Sequence, residues 1–471
     1  MSELFDCREN KGSFPCSESQ THRNGRGSPG WLLVLGLFAL GLVVVVPGFL
    51  IASDTPYEQE PISYSDPILD DPISKLDAEL EAGTKVLEYE PGRGYLRSVL
   101  RALQIPESSQ TLVFSKTSFQ RDRISPETPR ALYFNDDVYI GWVQGGDVLE
   151  VSAVDSQKGA IFYSLSQTRE EVPRFQRHTH ECLQCHDGSL SQGVPGHIMR
   201  SVYTDPRGQP VLTAGTFVTN PQSPLRERFG GWYVSGTHGS QVTMGNLIVR
   251  EKEHRQHPER INLVPQGNQT ELSRFFDPQP YVVPHSDLVA LQVLAHQVYV
   301  HNLITKANHQ TRFAVRDQVS INKALGRPET EPLDSTRSRI RSVGEPLLRA
   351  LLFADEPRLE APLAGTSGFA AEFSQQGPRD SQGRSLRQFD LQQRLFRYPC
   401  SFLIHTAAFD ALPEPQLEYL AQRMWQVLTG ADATGRFTHL TAEDRQAIRE
   451  ILRETKPGLT RRWPAEENST P

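Results

Sequence analysis

Cysteine and methionine are scarce in this chain, and positive charge is in deficit. Five Cys in 471 residues are too few, and odd in number, for a disulfide-stapled scaffold. Four Met restrict any thioether chemistry past the first residue to Met199, Met244 and Met424. A formal charge of -7 excludes a nucleic-acid binder that works by bulk basicity. No Ser-His-Asp grouping, phosphate loop or internal repeat stands out. What remains is enough apolar sequence for a core, 37%, interrupted by 34 Gly and 34 Pro that point to a loop-rich protein.

The missing positive charge has an address. Residues 53–91 hold eleven acids against Lys75 and Lys85, which leaves the rest of the chain close to neutral. Such a segment reads as a solvated acidic linker with one short helix near 74–82. Just before it, residues 31–52 run for 22 positions without a charge, the length of one membrane-spanning helix. Arg23 and Arg26 precede that run, and Asp54, Glu58 and Glu60 follow it. The asymmetry predicts a single-pass membrane protein with a cytoplasmic tail at 1–30 and its main domain periplasmic or extracytoplasmic.

Beyond the linker the expected fold class is α+β, a strand-rich region at 92–285 followed by a helical region at 286–471. Runs rich in Val, Ile, Tyr and Phe at 111–115, 131–134, 138–143, 148–154 and 160–165 predict an antiparallel meander. A hairpin is expected across 200–204 and 211–217, with strands at 232–235 and 246–250. Helices are expected at 94–103, 286–304 with Ser286 as N-cap, 311–325, 336–353, 385–396, 401–412, 415–428 and 442–454. Residues 365–383 read as an irregular connection. The apolar run 288–304 is interrupted by Gln292, His296, Gln297, His301 and Asn302, so it predicts a buried helix and not a span.

One stretch carries chemistry. His178-Thr-His180-Glu-Cys182-Leu-Gln-Cys185-His186 contains Cys-X-X-Cys-His, the spacing by which haem c is attached. Two thiols add across the two vinyl groups of the porphyrin, and the next residue, His186, ligates the iron. The competing chemistries are zinc, for which all candidate ligands crowd into nine residues with no second Cys pair, and a Cys182–Cys185 redox disulfide, which lacks the surrounding βαβ pattern.

With these residues the chain resembles bacterial membrane-anchored cytochrome c domain-containing proteins, a mono-haem family without an assigned reaction. The likeness rests on the apolar run, the Cys182 to His186 motif and the stretches 131–142 (ALYFNDDVYIGW) and 230–239 (GGWYVSGTHG). It implies one covalent haem, with Cys182 and Cys185 binding it and His186 on the iron. The chain is longer and richer in strands than a small all-helical cytochrome c, so that fold is not implied.

A sixth iron ligand has to come from outside the motif. Met244, in Val-Thr-Met-Gly-Asn 58 residues after His186, is the first expectation, and His238 and His197 are the alternatives. His296 and His301, about 140° apart on one helix, read as core histidines, and Cys400 as a buried thiol. Trp232 and Tyr233 are candidates to wall a haem pocket. The functional expectation is an electron-transfer cytochrome serving redox partner proteins of the membrane or periplasm, with no nucleic acid. The alternatives are a peroxidase-like haem enzyme or ligand sensor with an open iron site, and a zinc-stabilised surface interaction module.

Overall fold

Alternating side chains decide the centre of this fold. In β3 (Val138–Trp142), Val138 and Ile140 belong to one apolar cluster and Tyr139 to the other, as the two-residue period of a strand requires. The computed structural model describes residues 55–464. Strands β1 (Thr111–Val113), β2 (Arg130–Phe134), β3, β4 (Val148–Asp155), β5 (Gly159–Ser166) and β6 (Phe175–His178) form the expected antiparallel meander. The short β9 (Trp232–Tyr233) adds to β1, which completes seven strands in the order β6-β5-β4-β3-β2-β1-β9. Before the sheet come α1 (Pro72–Glu81) and α2 (Leu96–Ala102), and between β6 and β9 lie the one-turn α3 (Leu183–His186) and a small hairpin of β7 (Arg200–Val202) and β8 (Thr216–Val218). The 246–250 strand does not form, and that stretch is irregular.

The segment at 53–91 is not a linker where it is described. Tyr57, Ile62, Tyr64, Ile73, Leu76 and Leu80 are buried and cover one face of the sheet together with α2. Two of its acids tie it to the sheet. Asp71 caps α1 by accepting from the backbone N–H of Ile73 and Ser74, and its other oxygen accepts the Tyr163 hydroxyl at 2.6 Å. Asp77 accepts the backbone N–H of Phe175 at 2.8 Å and the Arg174 guanidinium at 2.7 Å. Charge content hid an apolar stripe spaced widely enough to escape a compositional reading.

The other face of the sheet meets helices. After β10 (Gly236–Thr237) and α4 (Lys252–Gln256) comes α5 (Leu288–Ala324), a continuous helix of 37 residues. It is capped by Asp287, whose carboxylate accepts from Val289 and Ala290 N–H, and not by Ser286. Ser286 Oγ is spent between strands, donating to Tyr233 O and accepting from Leu112 N–H. Then follow α6 (Asp334–Leu351), β11 (Ala364–Gly365) paired with β10, α7 (Phe369–Gln375), α8 (Ala407–Asp410), α9 (Glu414–Leu428), α10 (Ala442–Thr455) and α11 (Pro457–Thr460). Strand-rich and helical regions thus share one core built on α5.

The fold and location expected from sequence are corrected in one respect. Among the described residues no helix is long and apolar enough to cross a membrane. In α5 the polar residues recur too often for a span. The tail at 1–30 and the run at 31–52, on which the single-pass topology rested, lie outside the described residues. A membrane anchor and a periplasmic or extracytoplasmic location are therefore not carried into the functional reading.

Candidate haem-attachment site

Strand register sets up a row of side chains on one face of the sheet. Tyr139 lies opposite Ser152, Ser152 opposite Phe162 and Phe162 opposite His178, and residues directly opposite across antiparallel strands share a face. The loop that follows β6, residues 179–197, folds back over this row. It begins with the one-turn α3, in which His186 N–H donates to Cys182 O at 3.0 Å. One helical turn puts Cys182 and Cys185 on the same side, the i, i+3 relation. Leu183 is buried and anchors the turn in the core, while Cys182 is half-buried and Cys185 exposed, both as free thiols.

The turn is clasped at its end. Ser191 and Val194 are buried, and Gln192 and Gly193 take successive positive φ values of 67° and 73°, which reverses the chain. Gly196 then meets His186 twice. Its N–H donates to His186 O at 3.0 Å, and its carbonyl lies 2.9 Å from His186 Nδ1. A carbonyl can only accept, so Nδ1 carries the ring proton and Nε2 is left with its lone pair, without a hydrogen-bonding partner among the described residues. Burial lowers the His186 pKa, outweighing the opposite pull of Gly196, so the neutral, metal-ligating form is favoured. The ring packs 4.7 Å from Phe162.

These residues fit covalent haem. A haem iron takes four of its ligands from the porphyrin and needs from the protein a neutral imidazole with a fixed tautomer, which His186 supplies. They fit the other chemistries poorly. Burial pushes the Cys182 thiol up to about 11, the reverse of the depressed value that a redox-active or zinc-bound thiolate needs. Among the described residues no group of three or more His, Cys, Asp or Glu is placed to hold a metal ion. His178 is engaged with Ser164 Oγ at 2.7 Å.

The three candidates for the sixth ligand lie in three settings. Met244 is buried, its sulfur accepts from Ser201 Oγ at 3.7 Å, and its methyl group presses against Gly230, where an added Cβ would come within 2.7 Å. Those contacts are with the β7–β9 region and not with the motif. His238 accepts the Asn268 N–H at 3.2 Å through Nε2 and sits against Gly267, again away from residues 182–186. His197 alone shares a neighbour with His186, since Phe162 lies 4.7 Å from one ring and 6.1 Å from the other.

His197 also brings in residues that the sequence reading left in the core. Its Nε2 lies 2.6 Å from Ser152 Oγ and its ring 4.2 Å from Tyr139. The Tyr139 hydroxyl is 2.9 Å from Nδ1 of His301. Asn302 clamps the His197 backbone from both sides, accepting from its N–H at 2.9 Å and donating to its carbonyl at 2.7 Å. His197 Nδ1 and His301 Nε2 are buried without a partner. Burial, aided by the proximity of His301, holds His197 well below its usual pKa, and burial lowers His301 to about 3. The signal for this cluster was the polar residues inside the apolar run 288–304. Trp232 and Tyr233 lie elsewhere, Trp232 donating to Arg200 O and Tyr233 stacked on Phe276.

No family model, no curated protein and no solved structure matches the chain. The functional reading therefore stands on this site.

Proposed function

We propose that the chain is a c-type cytochrome that holds one haem through Cys182 and Cys185, with His186 on the iron, and exchanges single electrons with redox partner proteins. The observation that carries this reading is the Gly196 clasp on His186, which fixes the proton on Nδ1 and keeps Nε2 available beside two free thiols on one helical turn. Haem, when bound, supplies a one-electron iron couple. The chain's own part is to hold the ring proton on Nδ1 through its hydrogen bond to the Gly196 carbonyl, to keep the imidazole neutral by burial, and to back it with Phe162. Exposure of Cys185 leaves the attachment turn accessible to a partner.

A second reading, a haem enzyme or ligand sensor with an open iron site, is favoured by the buried cluster of His197, His301 and Tyr139. Two ring nitrogens without partners and one phenol there can hold or pass a proton.

One experiment separates these readings. The purified protein should retain haem through denaturing electrophoresis, and Cys182→Ser with Cys185→Ser should remove that stain while the protein still folds. Reduced spectra with carbon monoxide then decide the rest, because sharp bands unmoved by the gas support the carrier and shifted bands support the open site. Haem that extracts freely, or no haem, overturns both.

A further inference from the structure

Helix α5 carries a second group of buried polar side chains, one turn apart. Gln292 and His296 line a small cavity of about 40 Å³ together with Arg228, Glu356 and Arg358, room for only a few non-hydrogen atoms. None of its lining residues belongs to the loop at 179–197. Gln292 is 5% and His296 1% exposed. Arg228 reaches Gln292 Oε1 with Nη1 at 2.6 Å and is held by the carbonyls of Ser223 and Pro221. That fixes the amide so that Gln292 Nε2, a donor, is buried without a partner.

His296 is oriented just as firmly. Its ring stacks on Phe353 at 4.4 Å, and its Nε2 lies 2.7 Å from Ser401 Oγ. Ser401 Oγ also accepts from Leu403 N–H, so the hydroxyl is itself held in place. Nδ1 is likewise buried without a hydrogen bond, with Glu356 Oε1 3.9 Å away. Burial pushes the Glu356 carboxyl up to about 8, against the pull of Arg228. This pole of the cavity therefore offers donors in Gln292 Nε2 and the Arg228 guanidinium, while Leu225, Leu359, Leu363 and Leu395 contribute apolar walls. A buried donor left without an acceptor is costly, a cost that an oxyanion would remove. The Glu356 side chain keeps 20% exposure, which marks the mouth.

We propose that this cavity binds a small monocarboxylic acid with an apolar body, its carboxylate against Gln292, His296 and Arg228 and its hydrocarbon part against Leu225, Leu363 and Leu395. Arg228 and His296 face Glu356, and Arg358 lines the same cavity.

The test is calorimetric titration of the full-length protein with propionate at about pH 6.5, with propionamide and inorganic phosphate as probes of charge and of apolar body. Propionate should bind at least about tenfold more tightly than either, the loss expected for one charged hydrogen bond. Above about pH 8 its affinity should fall about tenfold per pH unit, because Glu356 must first regain a proton, and Glu356→Gln should remove that fall. Gln292→Leu, or Leu363→Trp where the first does not fold, should cost at least about tenfold. No propionate binding, which means a water-filled void only, overturns the proposal. So does propionamide or phosphate binding as tightly as propionate, or full affinity in both variants.

Discussion

The Tyr57 hydroxyl donates to Asp187 Oδ2 at 2.5 Å, so the N-terminal acidic segment is fastened to the residue that follows His186. Tyr57 is itself buried and packs edge-on against Tyr64, 5.5 Å away, whose hydroxyl donates to Ala160 O on β5. Segment, sheet and the loop at 179–197 are therefore one mechanical unit.

Tyr57→Phe keeps the ring and removes only the hydrogen bond. It should cost about 0.5–1.5 kcal/mol of stability and speed amide hydrogen exchange at 186–193 more than elsewhere. Unchanged exchange in that loop would separate the segment from the site.

Asp71 does two jobs through two oxygens, capping α1 and accepting from Tyr163. Asp71→Ala loses the cap and leaves a buried phenol without its acceptor, so urea unfolding should register a loss of about 2–4 kcal/mol. Asp71→Asn keeps a cap and should lose less. Equal losses would mean that the cap contributes nothing.

These partnerships explain what composition could not reveal. The meander was legible because β-branched and aromatic residues alternate between Asn-Asp-Asp, Gly-Gly and Lys-Gly turns, a local signal. The covering segment was not, because its burial depends on a sheet face contributed by residues 50 to 100 positions away. Helix α5 was read as two helices because 305–310 (TKANHQ) looks like a loop. In the fold Asn308 is buried and donates to Ser156 O and Ala411 O, and with no Gly or Pro to stop it the helix runs on. The helix expected at 385–396 does not form, since Asp390 Oδ1 accepts the N–H groups of Gln392, Gln393 and Arg394 and turns the chain. Arg387 is fixed there between the rings of Phe373 and Phe402 and paired with Asp136. The Cys182 to His186 motif was legible in full, but Gly196, Ser152, Tyr139 and His301 come to it only through strand register and the path of α5.

Glu356 makes a pH prediction with a definite sign. Its folded pKa, about 8, lies above the unfolded value near 4.5, so its contribution to stability is fully present below about pH 4.5 and is lost as pH rises through 8. The buried histidines act oppositely and earlier, since His296 and His309 titrate near 3 in the fold. Glu356→Gln should gain stability relative to the parent between about pH 5 and 8, read as a rising difference in urea midpoint. A difference that is flat with pH would mean that Glu356 is ionised in the folded protein.

Gly196, in the loop at 179–197, has no room for a side chain. A Cβ there would lie 2.4 Å from Asn302 Oδ1, the atom that accepts the His197 N–H. The same residue supplies the carbonyl that holds His186 Nδ1. Gly196→Ala therefore has to displace either the Asn302 clamp or the clasp on His186, and overpacking of this kind costs about 1–3 kcal/mol. The loss should appear in thermal unfolding of the protein without haem, and nitrogen chemical shifts of His186 should show the Nδ1–H tautomer giving way to a mixture. Asn302→Ala removes the obstructing atom, so combined with Gly196→Ala it should cost less than the sum of the two single changes. If the costs simply add, the added methyl group is being accommodated elsewhere and Asn302 is not what restricts this position to glycine.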